Sequence, residues 1–238
     1  MKLIKADVHL HTCLSPCAEI IQSPRRVVEK ANEKGFNLIF ITDHNSMANA
    51  EAAIKSAKNF PGLKVYPGME ITTKEEVHVL SLFENISDAY GMQTRIDDFL
   101  PDAYYEKERE EQIIANEADE VEGYYGKSLF SAVNLGLDEI IGIVHKYNGI
   151  AIAAHIDRPS FSILSQLGFI PDDCNLDALE VSPNMGFDEA GKKYPEYYSK
   201  FRFVKGSDSH SPETFGETYT EFYGEKNDFE SFLKYIKE

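Results

Sequence analysis

The chain has 238 residues, of which 42% are hydrophobic, and its formal net charge is -16. The apolar fraction is sufficient for a buried core, and no stretch approaches the roughly 18 consecutive apolar residues that a membrane helix requires. The 3 cysteines are too few for a disulfide framework in a chain of this size, which agrees with a reducing compartment. We therefore expect a cytoplasmic protein with no membrane partner. Because the negative charge repels polyanions, we also expect no extended nucleic-acid binding.

Seven apolar runs with polar residues at their carboxyl ends predict buried strands. In chain order they are LIKADVHLH, LIFITDHN, LKVYPGMEI, VHVLSLF, IAIAAHID, ALEVS and RFVKGSDSH. Helix patterns lie between them: SPRRVVEKANEKG has Ser23 as N-cap, Pro24 in the first turn and Gly35 at its end, and SMANAEAAIKSAKNFPG and SLFSAVNLGLDEIIGIVHKYNG also carry apolar residues at helical spacing. This alternation predicts an α/β fold with mostly parallel strands. The absence of a Pro/Gly/Ser-rich linker predicts one domain over residues 1–238.

The segment 84–127 interrupts the alternation of strands and helices. Between Glu84 and Glu122 it carries thirteen acidic and three basic residues. TRIDDFLPDAYYEKEREEQ is expected to form one or two exposed helices, and QIIANEADEVEGYY is expected to form a short hairpin. We interpret the segment as an acidic insertion after the fourth strand, and its charge as that of a solvated surface.

Histidines and acidic residues collect at the ends of the predicted strands. Six of the seven histidines lie there, and His145, inside a predicted helix, is the exception. Imidazoles and carboxylates are ligands of divalent metals, and functional residues gather at the carboxyl ends of strands in parallel α/β sheets and barrels. Residues two apart on a strand point the same way, so His9 and His11 can face one ion together. The set that predicts a metal site comprises Asp7, His9, His11, Asp43, His44, Glu70, His78, His155, Asp208 and His210.

Five motifs in order along the chain resemble those of the PHP (polymerase and histidinol phosphatase) superfamily. They are DVHLH, ITDHN, PGMEI, AAHIDR and GSDSH, and the resemblance covers nearly the whole chain outside the acidic insertion. The chain is similar to the stand-alone phosphoesterases rather than to the polymerase-fused domains. The resemblance implies a distorted (β/α)7 TIM-like barrel that holds two to three divalent ions of zinc, manganese or iron. It also implies hydrolysis of phosphoesters by a metal-activated hydroxide that attacks phosphorus.

The resemblance further implies how the ligands divide among the ions. The first ion would have His9, His11 and Asp208, the second His78 and His155, with Glu70 bridging these two, and the third His44 and His210. Asp7 and Asp43 match positions that orient ligands or assist proton transfer in the family. One position departs from the family pattern, because Cys17 stands six residues beyond His11, where several relatives have a histidine. Either Cys17 supplies a thiolate to the third ion, or that site is weak or empty.

Two basic residues are candidates for binding the phosphate of the substrate. Arg158 follows a strand end, and a guanidinium suits bidentate contact with phosphate, although a surface position before Pro159 explains it nearly as well. Lys205, which precedes the last strand end, is the second candidate. With the net charge, these residues predict a small phosphorylated partner, which is a phosphomonoester, a nucleotide or a short oligonucleotide end. Two other functions stay open: a catalytically silent metal-binding module that regulates a partner, and C–N hydrolysis as in amidohydrolase barrels.

Overall fold

The computed structural model describes residues 1–104 and 111–238. Within them, eight strands form one large sheet and two form a separate hairpin. The strands are β1 (Lys2–Asp7), β2 (Leu38–Ile41), β3 (Lys64–Thr72), β4 (His78–Leu82), β5 (Ile113–Ala115), β6 (Val121–Tyr124), β7 (Ile150–Ala153), β8 (Ala178–Glu180), β9 (Arg202–Val204) and β10 (Thr220–Gly224). Each of the seven predicted apolar runs contains one strand of the large sheet.

The large sheet curves into a nearly closed barrel. Its strands follow the order β10-β1-β2-β3-β4-β7-β8-β9. A parallel bridge between Leu10, just after β1, and Ser209, just after β9, joins the first and last strands of the barrel at its mouth. We call this junction the seam. The predicted distorted (β/α)7 TIM-like barrel is therefore confirmed.

Two strands run against the parallel direction. β4 is antiparallel to both of its neighbours, β3 and β7. The segment 73–77 that joins β3 to β4 is far shorter than the dozen or so residues that a parallel crossover needs, so these strands form a hairpin. As a result, the start of β4 lies at the same end of the barrel as the carboxyl ends of the parallel strands. β10, which was not among the predicted strands, pairs antiparallel with β1.

Helices pack around the barrel. Within the described residues they are α1 (Pro24–Glu33), α2 (Ala50–Ser56), α3 (Ile86–Asp97), α4 (Leu137–Lys146), α5 (Ile163–Leu167), α6 (Phe187–Lys193), α7 (Pro195–Lys200) and α8 (Phe229–Lys237), with a 3-10 turn at Ala57–Asn59. α1 begins where the sequence predicts it, because the Ser23 hydroxyl accepts a hydrogen bond from the backbone N–H of Arg26. The helix predicted over residues 128–149 is confirmed only for α4. Residues 128–136 instead follow the barrel mouth, where the Val133 N–H donates to the Thr72 carbonyl at 2.8 Å.

The acidic segment after β4 leads back to the barrel mouth. α3 is followed by the predicted hairpin, in which β5 and β6 pair antiparallel. The hairpin is held by Asn49, whose side-chain N–H donates to the Ile113 carbonyl at 3.1 Å and whose side-chain oxygen accepts from the Ala115 N–H at 3.0 Å. The exposed helices expected within TRIDDFLPDAYYEKEREEQ fall partly on residues 105–110, outside the described residues.

The core has two layers, one inside the barrel and one outside it. Side chains on alternate positions of β2 divide between them, with Leu38 and Phe40 in the inner cluster and Ile39 and Ile41 in the outer one. Phe232 of α8 is fully buried in the inner cluster, so α8 closes the barrel at the end opposite the mouth. None of the helices in the described ranges is long and apolar enough to cross a membrane.

Candidate metal centre

Eight side chains from six strand ends converge at the barrel mouth. They are His9 and His11 after β1, His44 after β2, Glu70 on β3, His78 at the start of β4, His155 after β7, and Asp208 and His210 after β9. His78 joins the others because β4 runs in the opposite direction to the parallel strands. The structure thus brings together every histidine and carboxylate that the sequence assigned as a metal ligand.

Glu70 lies at the centre of the cluster and is almost completely buried. One of its carboxylate oxygens, Oε1, lies 2.6 Å from Nδ1 of His78 and 3.1 Å from Nε2 of His155. The other, Oε2, lies 3.0 Å from Nδ1 of His44 and 3.3 Å from Nε2 of both His9 and His11. The two oxygens therefore face two different sets of imidazoles, which is the arrangement that a bridging carboxylate requires.

A second group of close contacts surrounds His9 and His11. Their Nε2 atoms lie 3.1 Å apart, and Oδ1 of Asp208 lies 3.3 Å from the first and 3.2 Å from the second. Three groups of ligand atoms have all members within 4.8 Å of one another: His9, His11, Glu70 and Asp208; His44, Glu70 and His78; and His11, His44 and His210. His44 belongs to two of these groups rather than to one. His155 belongs to none of them and contacts the cluster through Glu70.

The proton positions on His9 and His11 favour a metal ion between them. Nδ1 of His9 lies 2.9 Å from Oε2 of Glu180, and Nδ1 of His11 lies 2.9 Å from the Ser15 hydroxyl. With the proton on each Nδ1, both Nε2 lone pairs point at each other and at two carboxylates. A buried set of converging lone pairs and negative charges requires a cation, and imidazoles anchored through the other nitrogen are typical of metal ligands. The donor set of nitrogen and oxygen atoms fits zinc, manganese or iron.

The electrostatics of the cluster agree with a cation site. Burial alone would lower the pKa of His9 and of His11, but the facing carboxylates raise the pKa of His11 to about 9 and that of His9 well above its ordinary value. Burial alone would raise the pKa of Glu70, but the imidazoles of His78, His9 and His44 hold it well below its ordinary value. The carboxylate therefore stays ionised in the interior, because positive charge nearby stabilises the ionised form.

Close packing of the backbone at the seam positions the first group. The Asp208 N–H donates to the His9 carbonyl at 2.9 Å, and the His11 N–H donates to the Ser209 carbonyl at 3.2 Å. Gly206 permits this approach, because a Cβ atom there would lie 2.4 Å from the Cβ of His9. The glycine of the motif GSDSH is thus needed for the strand ends to meet.

Backbone strain is concentrated around the cluster. Four non-glycine residues near the mouth adopt positive φ angles: Asn45 (49°), His155 (30°), Phe161 (56°) and Asp208 (48°). Such conformations cost about 1–3 kcal/mol each and persist where the surrounding structure imposes them, often at functional sites.

A groove of about 250 Å³ gives access to the cluster. Two other residues that the sequence singled out line this groove, Arg158 and Cys17. Nη2 of Arg158 lies 2.5 Å from Oδ2 of Asp208, and the Arg158 side chain is 38% exposed, so part of the guanidinium faces the groove. Cys17 is exposed and lines the groove with His44, but within the described residues its thiol belongs to none of the three groups of ligand atoms.

Asp7, Asp43 and Lys205 do not line the groove. Asp7 is fully buried and accepts hydrogen bonds from the backbone N–H groups of Ser207 and His9. Asp43 is also fully buried and accepts from the backbone and the hydroxyl of Thr12. The resemblance offered two roles for Asp7 and Asp43, which were to orient ligands or to assist proton transfer. Their buried hydrogen bonds fit the first of these roles. The ammonium of Lys205 donates to the backbone carbonyl of Met185 at 2.8 Å. This contact gives no support to the expected contact of Lys205 with substrate.

Sequence reasoning missed Ser15 and Glu180. The Ser15 hydroxyl donates to Asp43 at 2.7 Å, contacts Nδ1 of His11 and accepts from the His44 N–H at 3.1 Å. Glu180 contacts Nδ1 of His9 and accepts from the His155 N–H at 3.0 Å. Glu180 lies in the middle of the predicted strand ALEVS and is the last residue of β8, so an acidic residue within an apolar run was an available signal. Ser15 offered none, because its role depends on how the loop after β1 folds.

A barrel with a cluster of histidines and carboxylates at the carboxyl ends of its strands defines a class of metal-binding α/β barrel proteins. The model of the PHP domain family matches residues 7–167, and that of the PHP-associated family matches residues 199–238. The chain belongs to the PHP domain family, as its motifs suggested. Segments that contribute ligands occur in both matched ranges.

Two curated proteins resemble parts of the chain. An uncharacterized protein of Methanocaldococcus jannaschii is 32% identical over 103 residues, which are 40% of this chain and 60% of that protein. A 5'-3' exoribonuclease of Haemophilus influenzae is 31% identical over 81 residues, which are 33% of this chain and 28% of the enzyme. The matches thus span less than two thirds of either relative.

The fold is shared with a solved nuclease. The lesion-specific endonuclease PfuEndoQ of Pyrococcus furiosus superposes with a TM-score of 0.73 at 19% identity, over 99% of this chain and 56% of the endonuclease. A second structure, of Endonuclease Q with a 27-mer duplex that carries an abasic lesion at the active site, superposes with a TM-score of 0.71 at 18% identity, over 98% of this chain and 56% of that one.

These structures overturn the expectation that the chain binds no extended nucleic acid. Endonuclease Q, just over half of which superposes on this chain, was solved in complex with a duplex DNA substrate. The prediction from the net charge of -16 was wrong because total charge does not describe the field inside one groove. At the mouth, the Arg158 guanidinium and five of the imidazoles lie within a few ångströms of Glu70 and Asp208, an arrangement that the total charge does not reveal.

Proposed function

We propose that this protein is a metal-dependent phosphodiesterase that cleaves nucleic acid at a nucleotide held in the groove at the barrel mouth. The observation that carries the proposal is the convergence of the cation-binding cluster and Arg158 in one groove. A phosphodiester oxyanion needs both, because it carries negative charge that increases as water attacks.

The proposal assigns the ligands as follows. His9, His11, Glu70 and Asp208 would hold one ion, and Glu70 would contribute to a second ion together with His78 and His155. His44 and His210 hold a third, with Cys17 beside them. When bound, such ions act as Lewis acids and make water a nucleophile at neutral pH.

The residues of the chain prepare the site in three ways. Glu180 and Ser15 fix the ring orientations of His9 and His11, so the ligand atoms stay in place without substrate. Arg158 contacts Asp208 through one nitrogen, and its remaining N–H groups are available to a phosphate oxygen. Leu129, Phe130 and Phe161 give the groove apolar walls beside the cluster.

The test is cleavage of end-labelled single-stranded, duplex and abasic-site-containing oligonucleotides by protein loaded with Mn²⁺, Zn²⁺ or Fe²⁺. We expect shortened strands with at least one of these metals and at least a hundredfold slower cleavage by Glu70→Gln. The exposed Glu213→Gln serves as the matched control and keeps full activity.

Two outcomes contradict the proposal. Intact strands with every metal, together with a full complement of bound ions by elemental analysis, would indicate a catalytically silent metal-binding module. A change in base mass without a broken strand would indicate C–N hydrolysis instead.

A further inference from the structure

Two exposed phenylalanines line the groove beside the metal-ligand cluster. Phe130 is 57% exposed and Phe161 is 41% exposed, and both border the same groove as His78, Arg158 and Asp208. We propose that Phe161, together with Phe130, stacks against an unpaired base next to the phosphate that is cleaved. This inference rests on the proposed function and names the feature of the nucleic acid that the site would select.

The conformation of Phe161 has no explanation in the packing of its own helix. It precedes Ser162, the N-cap of α5, and a hydrophobic residue at that position often packs against the fourth helical residue. Here the fourth helical residue is Gln166, so this hydrophobic contact is missing. Yet Phe161 adopts a φ angle of 56°, which is costly for a bulky side chain.

The surrounding contacts hold Phe161 in that conformation. Its carbonyl accepts a hydrogen bond from the His78 N–H at 2.9 Å, which fixes the residue at the start of β4. On its other side, the buried Ser162 hydroxyl donates to the Arg158 carbonyl at 2.8 Å. The result is a ring that stacks on the imidazole of His78, with centroids 4.7 Å apart and planes inclined by 24°.

The backbone around Phe130 is also held by hydrogen bonds. The side-chain amide of Asn45 donates to the carbonyls of Leu129 and Ser131, at 3.1 and 2.9 Å, so the backbone on both sides of Phe130 is fixed. Leu129 is buried while Phe130 points away from the core. Asn45 directly follows the ligand His44, so the ring is tied to the metal centre.

Rigid exposed rings beside a phosphate-binding site are suited to a nucleobase. Every base has a flat π face, and stacking on an aromatic side chain is independent of sequence. A base within a duplex has both faces covered by its neighbours, so the site would require a strand end, a single strand or a nucleotide turned out of the helix.

The test compares two oligonucleotides that differ at one nucleotide, which carries a base in the first and a tetrahydrofuran abasic analogue in the second. For Phe161→Ala we expect KM for the first to rise about tenfold and KM for the second to stay within about twofold, because losing one base–ring stack weakens binding by about fivefold to a hundredfold. Phe161→Trp should keep both values, while Phe161→Leu should resemble the alanine variant.

Phe169→Ala is the matched control, since Phe169 is also 57% exposed but lies outside this groove. Metal content and thermal midpoint are measured for each variant, because Phe161 also touches the ligand His78. If Phe161→Ala slows both substrates equally, the ring only supports His78 and the inference is overturned.

The inference and the proposed function fail in different ways. If the wild type cleaves both oligonucleotides equally well, the proposed phosphodiesterase activity stands and the stacking role is wrong. No cleavage at all, with base-dependent quenching of a 2-aminopurine oligonucleotide that Phe161→Ala abolishes, would leave the stacking role and remove the phosphodiesterase.

Discussion

Ser15 connects three parts of the metal centre through one hydroxyl group. It donates to the buried carboxylate of Asp43, contacts Nδ1 of His11 and accepts from the backbone N–H of His44. The Ser15 hydroxyl thus links the negatively charged carboxylate of Asp43 to the imidazole of His11. This fixes the proton on Nδ1 and leaves Nε2 free to bind metal.

We expect Ser15→Ala to weaken metal binding about tenfold to a hundredfold, the usual cost of losing a hydrogen bond that orients a histidine ligand. Titration of metal-free protein with Zn²⁺ in the presence of a competing chelator measures the change. Ser199→Ala, at an exposed helix position, is the control. Equal affinities in the wild type and Ser15→Ala would show that the loop after β1 orients His11 without the hydroxyl.

Cys17 is the ligand on which the sequence left two readings open. Its exposed thiol beside His44 and at the edge of the groove favours a contribution to the third ion. On that basis, Cys17→Ser should retain one ion fewer per chain after dialysis, as counted by elemental analysis. Cys174→Ser, which removes a free thiol elsewhere in the chain, should leave the count unchanged. An unchanged count in Cys17→Ser would assign the third ion to the histidines alone.

At the scale of elements, the direction of β4 and the existence of β10 could both have been predicted from the sequence. The five-residue connection 73–77 already implied a hairpin, because it is too short for a parallel crossover. β10 alternates buried and exposed residues from Thr220 to Gly224, the pattern of a strand with one covered face. Both signals were present. The seven buried runs were easier to recognise because each contains a stretch dominated by apolar residues.

The side-chain partners of the ligands were not readable in the same way. His9 and His11 could be identified from their spacing on one strand. The residues that orient them, Ser15 and Glu180, come from a loop and from a strand 171 residues away. Only the folded barrel brings these groups together, and no local pattern marks them.

α8 packs its apolar face against the inner cluster of the barrel. Phe232 is fully buried, with its ring 5.2 Å from that of Phe40 and 5.8 Å from that of Phe222. We expect Phe232→Ala to lower the free energy of unfolding by about 3–5 kcal/mol, as for other buried phenylalanines. Urea unfolding monitored by circular dichroism measures the loss. Tyr223→Ala, 66% exposed on β10, should change stability by less than about 0.5 kcal/mol. A similar small effect of Phe232→Ala would mean that α8 does not seal the barrel in solution.

For the whole molecule, the cluster at the mouth couples metal binding to folding. The ligands come from six strand ends, so the binding site exists only in the folded barrel. An ion at a hundred times its dissociation constant stabilises such a protein by about 2.7 kcal/mol. For a chain of this length, each kcal/mol raises the midpoint by about 2–4 °C.

Removal of metal with a chelator should therefore lower the thermal midpoint by about 5 °C or more. Differential scanning calorimetry with and without Mn²⁺ or Zn²⁺ measures the difference. The shift should disappear in Glu70→Gln, which lacks the central carboxylate charge, and persist in Glu213→Gln. An equal midpoint with and without metal in the wild type would show that the ions bind without depending on the barrel.

The seam between the first and last strands of the barrel also sets an order of events during synthesis. Leu10 pairs with Ser209 there, across nearly the whole described chain, and contacts of such long separation form late in folding. A chain that leaves the ribosome N-terminus first exposes His9 and His11 long before Asp208 has been made. The proposed first ion site can therefore be completed only after Asp208 has been made, so we expect metal to load after the last parallel strand of the barrel has formed.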